Sequence, residues 1–144
     1  MLKNQNNLIT TYSSSHQNET NQLIHLVCVP VIFFTVVATV YYYLPLPLTG
    51  LIIFASLVFY YRSMRSFLPP MIVLYVISLC ISAYFAPFKF FMPVVGCLFV
   101  VAWIGQFWGH KIEGKKPSFF QDLFFLLVGP AWVMSKFQKK ILGP

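Results

Sequence analysis

Long apolar stretches, separated by a few charged positions, dominate this chain. Glu19 and Arg62 bracket 42 residues without a charged side chain, Arg65 and Lys89 bracket 23, and Lys89 and Lys111 bracket 21. A membrane-spanning helix needs roughly 20 predominantly apolar residues. The first stretch therefore holds two spans, with Pro45-Leu46-Pro47 as the turn between them, and the other two hold one each. The pattern predicts an all-α integral membrane bundle with four transmembrane helices near residues 24–44, 47–61, 68–87 and 90–109. A fifth apolar segment, 119–133, has Asp122 near its start and Gly129-Pro130 near its end. It is short for a crossing, so an in-plane or re-entrant helix is expected there. Residues 1–144 read as one membrane domain.

Composition sharpens this picture. Hydrophobic residues make up 58% of the chain and charged residues only 9%, against about 25% charged in a typical soluble domain. That excludes a soluble globule, a disordered chain and a fibrous one, and no nucleic-acid footprint or phosphate-cradling glycine loop is present. The ten basic residues orient the bundle. With the N-terminus inside, Lys3, Arg62, Arg65, Lys111, Lys115, Lys116, Lys136, Lys139 and Lys140 fall on the inner side and Lys89 alone on the outer. The positive-inside rule then puts both termini in the cytoplasm. The short length suits a bacterial inner membrane better than the endoplasmic reticulum. The polar first twenty residues lack the apolar core of a cleaved signal peptide. Cys28, Cys80 and Cys97 stand alone in apolar segments and read as buried free thiols. Asn18-Glu19-Thr20 matches a glycosylation sequon, but its cytoplasmic side argues against use.

The scarce polar residues gather. The same topology sets His16, His25 and His110, with Glu19 and Glu113, at one depth on the inner side. Helical spacing puts Asn18, Asn21 and His25 on one face. His16 lies nine steps before His25, so joining both to one site requires His16 to precede the helix or the chain to turn. Gly109 and Gly114 permit close backbone approach or a tight turn around His110. Three neutral imidazoles with a nearby carboxylate form a ligand set for Fe(II), Zn(II) or Mn(II), with positions left open for reactants. The amides of Asn18, Asn21 and Gln106 are candidate partners that fix the imidazole tautomers. Lys111, Lys115 and Lys116 would attract an anionic head group.

Plainer explanations compete with this one. Interfacial histidines are often amphipathic anchors, the lysines are accounted for by topology, and the aromatic excess suits lipid contact. A Ser118/His110/Asp122 triad can be drawn, but no nucleophile-elbow motif supports it. Glu19 reads as a solvated head-group residue. From the residues alone, a metal enzyme, a metal-dependent lipid hydrolase and a non-catalytic lipid-binding or scaffold protein all stay open.

The two clusters carry a resemblance. The first is Tyr12…His16-x-Asn18-x-x-Asn21-x-Leu-Ile-His25…Val29-Pro30. The second is Gln106-Phe107-x-Gly109-His110…Glu113…Pro117…Asp122-Leu123…Pro130. In order, and over nearly the whole chain, they resemble the 2-hydroxy fatty acid dioxygenases, a family with a fungal member in fatty-acid α-oxidation and many short bacterial members. The resemblance implies an Fe(II)-dependent reaction in which a 2-hydroxy fatty acid and dioxygen give a fatty acid one carbon shorter, with membrane lipids as surroundings. It implies His16, His25 and His110 as the iron ligands and leaves Glu113 a candidate fourth catalytic residue.

Overall fold

The computed structural model of the chain describes residues 17–114 and 128–133. The described residues form helices joined by short links, with no strand among them. Helix α1 runs Glu19–Tyr43, α2 Leu46–Ser63, α3 Leu68–Phe85 and α4 Phe91–Glu113, and a single 3-10 turn, Arg65–Phe67, leads into α3. With that turn joined to α3, all four are long and apolar enough to cross a membrane. The expected spans are therefore all present, and α1 and α4 extend several residues further at the polar end than hydrophobicity alone suggested.

Local chemistry sets the ends. Asn18 caps α1: its side-chain oxygen accepts from Thr20 N at 2.9 Å and Asn21 N at 3.2 Å, satisfying amides a helix start leaves open. Glu19 stands exposed in the first turn, where the helix dipole favours a negative charge. The break between α1 and α2 falls at Leu44 and Pro45, both extended, while Pro47 sits inside the first turn of α2, where a missing N–H costs nothing. Gly114 ends α4 with a left-handed φ of 72° and donates its N–H to His110 O and Lys111 O. Such a φ favours glycine strongly.

The packing turns the usual pattern round. Bulky apolar side chains such as Leu51, Phe54, Val76 and Ile104 are exposed on the outer surfaces of the helices, as lipid contact allows. The α3 face turned inwards carries Met71, Tyr75, Ser78 and Ser82. Its serines are satisfied locally, with Ser78 Oγ donating to Leu74 O and Ser82 Oγ to Ser78 O. Cys28 is half-buried but Cys80 and Cys97 are exposed. The expectation of three buried thiols therefore fails for two of them, because in a bilayer an apolar environment is reached on the outside of the bundle as well as within it.

Helix α1 is the centre. It packs chiefly against α4 and next against α3, whereas α2 leans on α3 and only lightly on α1. Residues 128–133 are helical and buried, and Val128, Ala131, Trp132 and Val133 join a cluster with Val29, Met64 and Met71. The rest of the helix expected at 119–133 lies outside the described residues.

Candidate metal centre

The α1–α4 interface is built on two glycine notches. A β-carbon at Gly109 would collide with Asn21 Oδ1 and lie 3.5 Å from His25 Cδ2. One at Gly105 would fall 2.7 Å from Cys28 Sγ. Gly105 and Gly109 are four residues apart, so both notches lie on one helical face, the small-x-x-x-small arrangement that lets membrane helices approach closely. The backbone of α4 therefore rests against the side chains of Asn21, Ile24, His25 and Cys28.

That approach brings the two spans' histidines together. His25 and His110 are 1% and 5% exposed, and their ring centres lie 5.0 Å apart in an edge-on arrangement of 84°. Asn21 is buried one turn before His25 on the same face, and Gln106 one turn before His110. The buried amide and imidazole side chains among the described residues gather here, whereas the hydroxyls buried elsewhere bond to backbone carbonyls.

Glu113 closes the site. Its Oε1 accepts from Gln17 N at 2.9 Å, and its Oε2 accepts from Asn18 N at 2.9 Å and Asn21 Nδ2 at 3.0 Å. These are charge-assisted hydrogen bonds, a class worth roughly 1.5–3 kcal/mol each net of competition with water, and less where water reaches them, as at Gln17 and Asn18. The carboxylate thus ties the last turn of α4 to the first turn of α1. With its amide nitrogen held by Glu113, Asn21 turns its Oδ1 towards Gly109, where no hydrogen-bond partner is found among the described residues.

Of the residues singled out in the sequence, Asn21, His25, Gln106, His110 and Glu113 are brought to one end of the α1–α4 interface. Asn18 is there too, but as the exposed helix cap rather than a buried partner of an imidazole. Lys111 is exposed at the same end. His16, Lys115 and Lys116 lie outside the described residues, as do Ser118 and Asp122 of the drawn triad. The helix starts at Glu19, so His16 does precede it in the chain. Sequence reasoning missed the notch at Gly105, although its spacing from Gly109 was a readable signal. It also missed the bond from Glu113 to the start of α1, which no spacing within one segment could reveal.

Among the described residues no group of three or more His, Cys, Asp or Glu side chains is placed to hold a metal ion. Two imidazoles are. A nitrogen ligand sits about 2.0–2.1 Å from a first-row metal, and the 5.0 Å between ring centres suits two rings sharing one ion. Imidazole nitrogen is a donor that iron accepts, so the pair fits iron to that extent.

Away from this site, a cavity of about 400 Å³ lies between α1, α2 and α3, lined by Phe33, Val37, Ile53, Phe59 and Tyr75. Its polar feature is a 2.7 Å hydrogen bond between Ser56 Oγ and the Tyr75 hydroxyl. A second of about 380 Å³ lies between α1 and α4, beside Thr35, Thr39, Val95 and Gly96.

Comparison with known proteins agrees with the motif reading. No curated protein and no solved structure is similar enough to count as a match. The family described as 2-hydroxy-palmitic acid dioxygenase Mpo1-like, however, matches residues 2–141. With four membrane-length helices, the two motifs meeting at one buried histidine pair, and a match over nearly its full length, the chain belongs to the 2-hydroxy-palmitic acid dioxygenase Mpo1-like family.

Proposed function

We propose that this protein is an Fe(II)-dependent membrane dioxygenase that shortens 2-hydroxy long-chain fatty acids by one carbon. The observation that carries the reading is the buried His25–His110 pair, 5.0 Å apart, at the polar end of an otherwise apolar bundle. The family is described by its action on 2-hydroxy-palmitic acid, which supplies the chemical class.

His16, His25 and His110 would hold the iron. Bound there, iron supplies a place where dioxygen and the 2-hydroxy carboxylate meet, with dioxygen as the oxidant that breaks the C1–C2 bond. The protein's own groups do the rest. Asn21 and Gln106, buried one turn from their histidines, limit how the imidazoles can turn. Lys111, at the exposed end of α4, draws the carboxylate to the membrane surface. The apolar helices take the acyl chain, whose burial from water favours binding by about 0.8 kcal/mol per methylene. We place this end of the bundle, with both termini, on the cytoplasmic side of the membrane, because nine of the ten basic residues belong there.

The test is oxygen-dependent chain shortening. Detergent-purified protein loaded with Fe(II) should convert 2-hydroxyhexadecanoate to pentadecanoate in air and not under argon. Turnover that persists without oxygen would instead support a hydrolase, and absence of both metal and turnover a lipid-binding or scaffold protein.

A further inference from the structure

Glu113 sits where its own helix least favours it. The C-terminal end of a helix carries partial negative charge and disfavours an acid. Gly114 ends α4 directly after it, so this carboxylate belongs to the final turn. The explanation lies in the neighbouring helix. The start of α1 presents amide N–H groups and the positive end of a dipole, and Glu113 accepts from Gln17 N, Asn18 N and Asn21 Nδ2 at 2.9–3.0 Å. A carboxylate taken from an unfavourable helix end to a favourable one joins two elements 96 residues apart in sequence.

We propose that Glu113 is a positioning residue, a latch that fixes the chain at the junction between His16 and α1, and not a metal ligand; the metal part of this rests on the iron reading above. The Gln17 amide nitrogen is bonded to the carbonyl carbon of His16. Holding that amide therefore restrains the chain at the point where the third histidine joins it. The same carboxylate fixes Asn21, whose amide lies between Glu113 and the Gly109 notch, one turn from His25. One side chain on α4 thus orders both histidine-bearing parts of the N-terminal region. Among the described residues Glu113 does not fall with His25 and His110 into a group placed to hold one ion. Both oxygens are already acceptors, which favours the latch.

Two measurements on the full-length, detergent-purified protein decide the matter. The first needs no metal. Amide hydrogen exchange over 17–22 should speed up about tenfold or more in E113A, because Gln17 N and Asn18 N each lose a charge-assisted acceptor. E113Q, which keeps the volume and one acceptor oxygen, should lie in between, and it serves alone if E113A does not fold. Unchanged exchange at Gln17 and Asn18 overturns the latch. The second compares Fe(II) affinity, by chelator competition, in wild type, E113A, H16A and the double variant. Loss of an outer partner lowers metal affinity about 10- to 100-fold. If Glu113 acts through the chain it holds beside His16 and His25, the loss in the double variant falls short of the sum of the two single losses. Additive losses, or wild-type affinity in E113A, overturn the positioning role. If wild type takes up no iron, the iron reading fails, whereas accelerated exchange in that same protein still supports the latch.

Discussion

Helix α1 shows two different interfaces to the rest of the bundle. Towards α4 it is close and polar: two glycines remove the bulk, and Asn21, His25, Gln106, His110 and Glu113 meet in the space this creates. Towards α2 and α3 it is mainly apolar, beside a cavity of about 400 Å³; Thr49 Oγ1 of α2 donates to Val40 O of α1 at 3.3 Å, and the Ser56–Tyr75 hydrogen bond joins α2 to α3. Lipid tails are as apolar as leucine, so apolar contact alone does little to bring helices together in a membrane. The α1–α4 side is held by shape and by directed hydrogen bonds. A site that must fix two imidazoles within ångströms belongs on that side.

The largest break should come from the histidines. H25A or H110A should lower iron affinity by more than the roughly 10- to 100-fold typical of an outer partner, with chain shortening lost in step. Iron content after desalting reads this directly.

Gly109→Ala should come next. Its methyl group would meet Asn21 Oδ1 and the His25 ring, and overpacking of this kind costs about 1–3 kcal/mol. Both thermal stability in detergent and iron retention should fall. Gly96→Ala is the matched control, since its added carbon meets nothing within 4 Å. A helical glycine replaced by alanine without clash gains roughly 0.5–1 kcal/mol, so the melting temperature should hold or rise.

Gly105→Ala should do less than Gly109→Ala. The atom it meets, Cys28 Sγ at 2.7 Å, ends a short side chain that can rotate. Pairing it with Cys28→Ala should restore most of the lost stability, because the double change moves the bulk from one helix to the other.

The smallest effect belongs to the apolar side. Ser56→Ala leaves the Tyr75 hydroxyl without its partner, and hydrogen bonds in membrane bundles average about 0.6 kcal/mol. A slight fall in melting temperature with unchanged iron content would keep the two interfaces distinct. A loss of iron as large as that of Gly109→Ala would merge them.

The two interfaces also differ in how far the sequence foretold them. The spans could be read from the charge gaps because a bilayer enforces helix length and penalises charge within it. The common depth of His25 and His110 followed from the same gaps, and the close approach at Gly109 from its lack of a side chain. Pairing of the first span with the last could not be read. Links as short as Leu44–Pro45 suggest that sequential helices are neighbours, yet α1 packs chiefly on α4. Glu113 illustrates the consequence. Its residue type and place in the motif made it a candidate ligand, but only the adjacency of α1 and α4 shows the amides it accepts from. Cys80 and Cys97 make the converse point, since apolar surroundings in sequence meant exposure at the bundle surface rather than burial inside it.

The most direct test of the central claim is metal stoichiometry at the α1–α4 interface. Protein reconstituted with Fe(II) and passed through a desalting column should keep close to one iron per chain in wild type and in S56A, and lose it in H25A/H110A. Wild type without retained iron, or a double variant that holds as much as wild type, would contradict the assignment of this histidine pair to a metal centre.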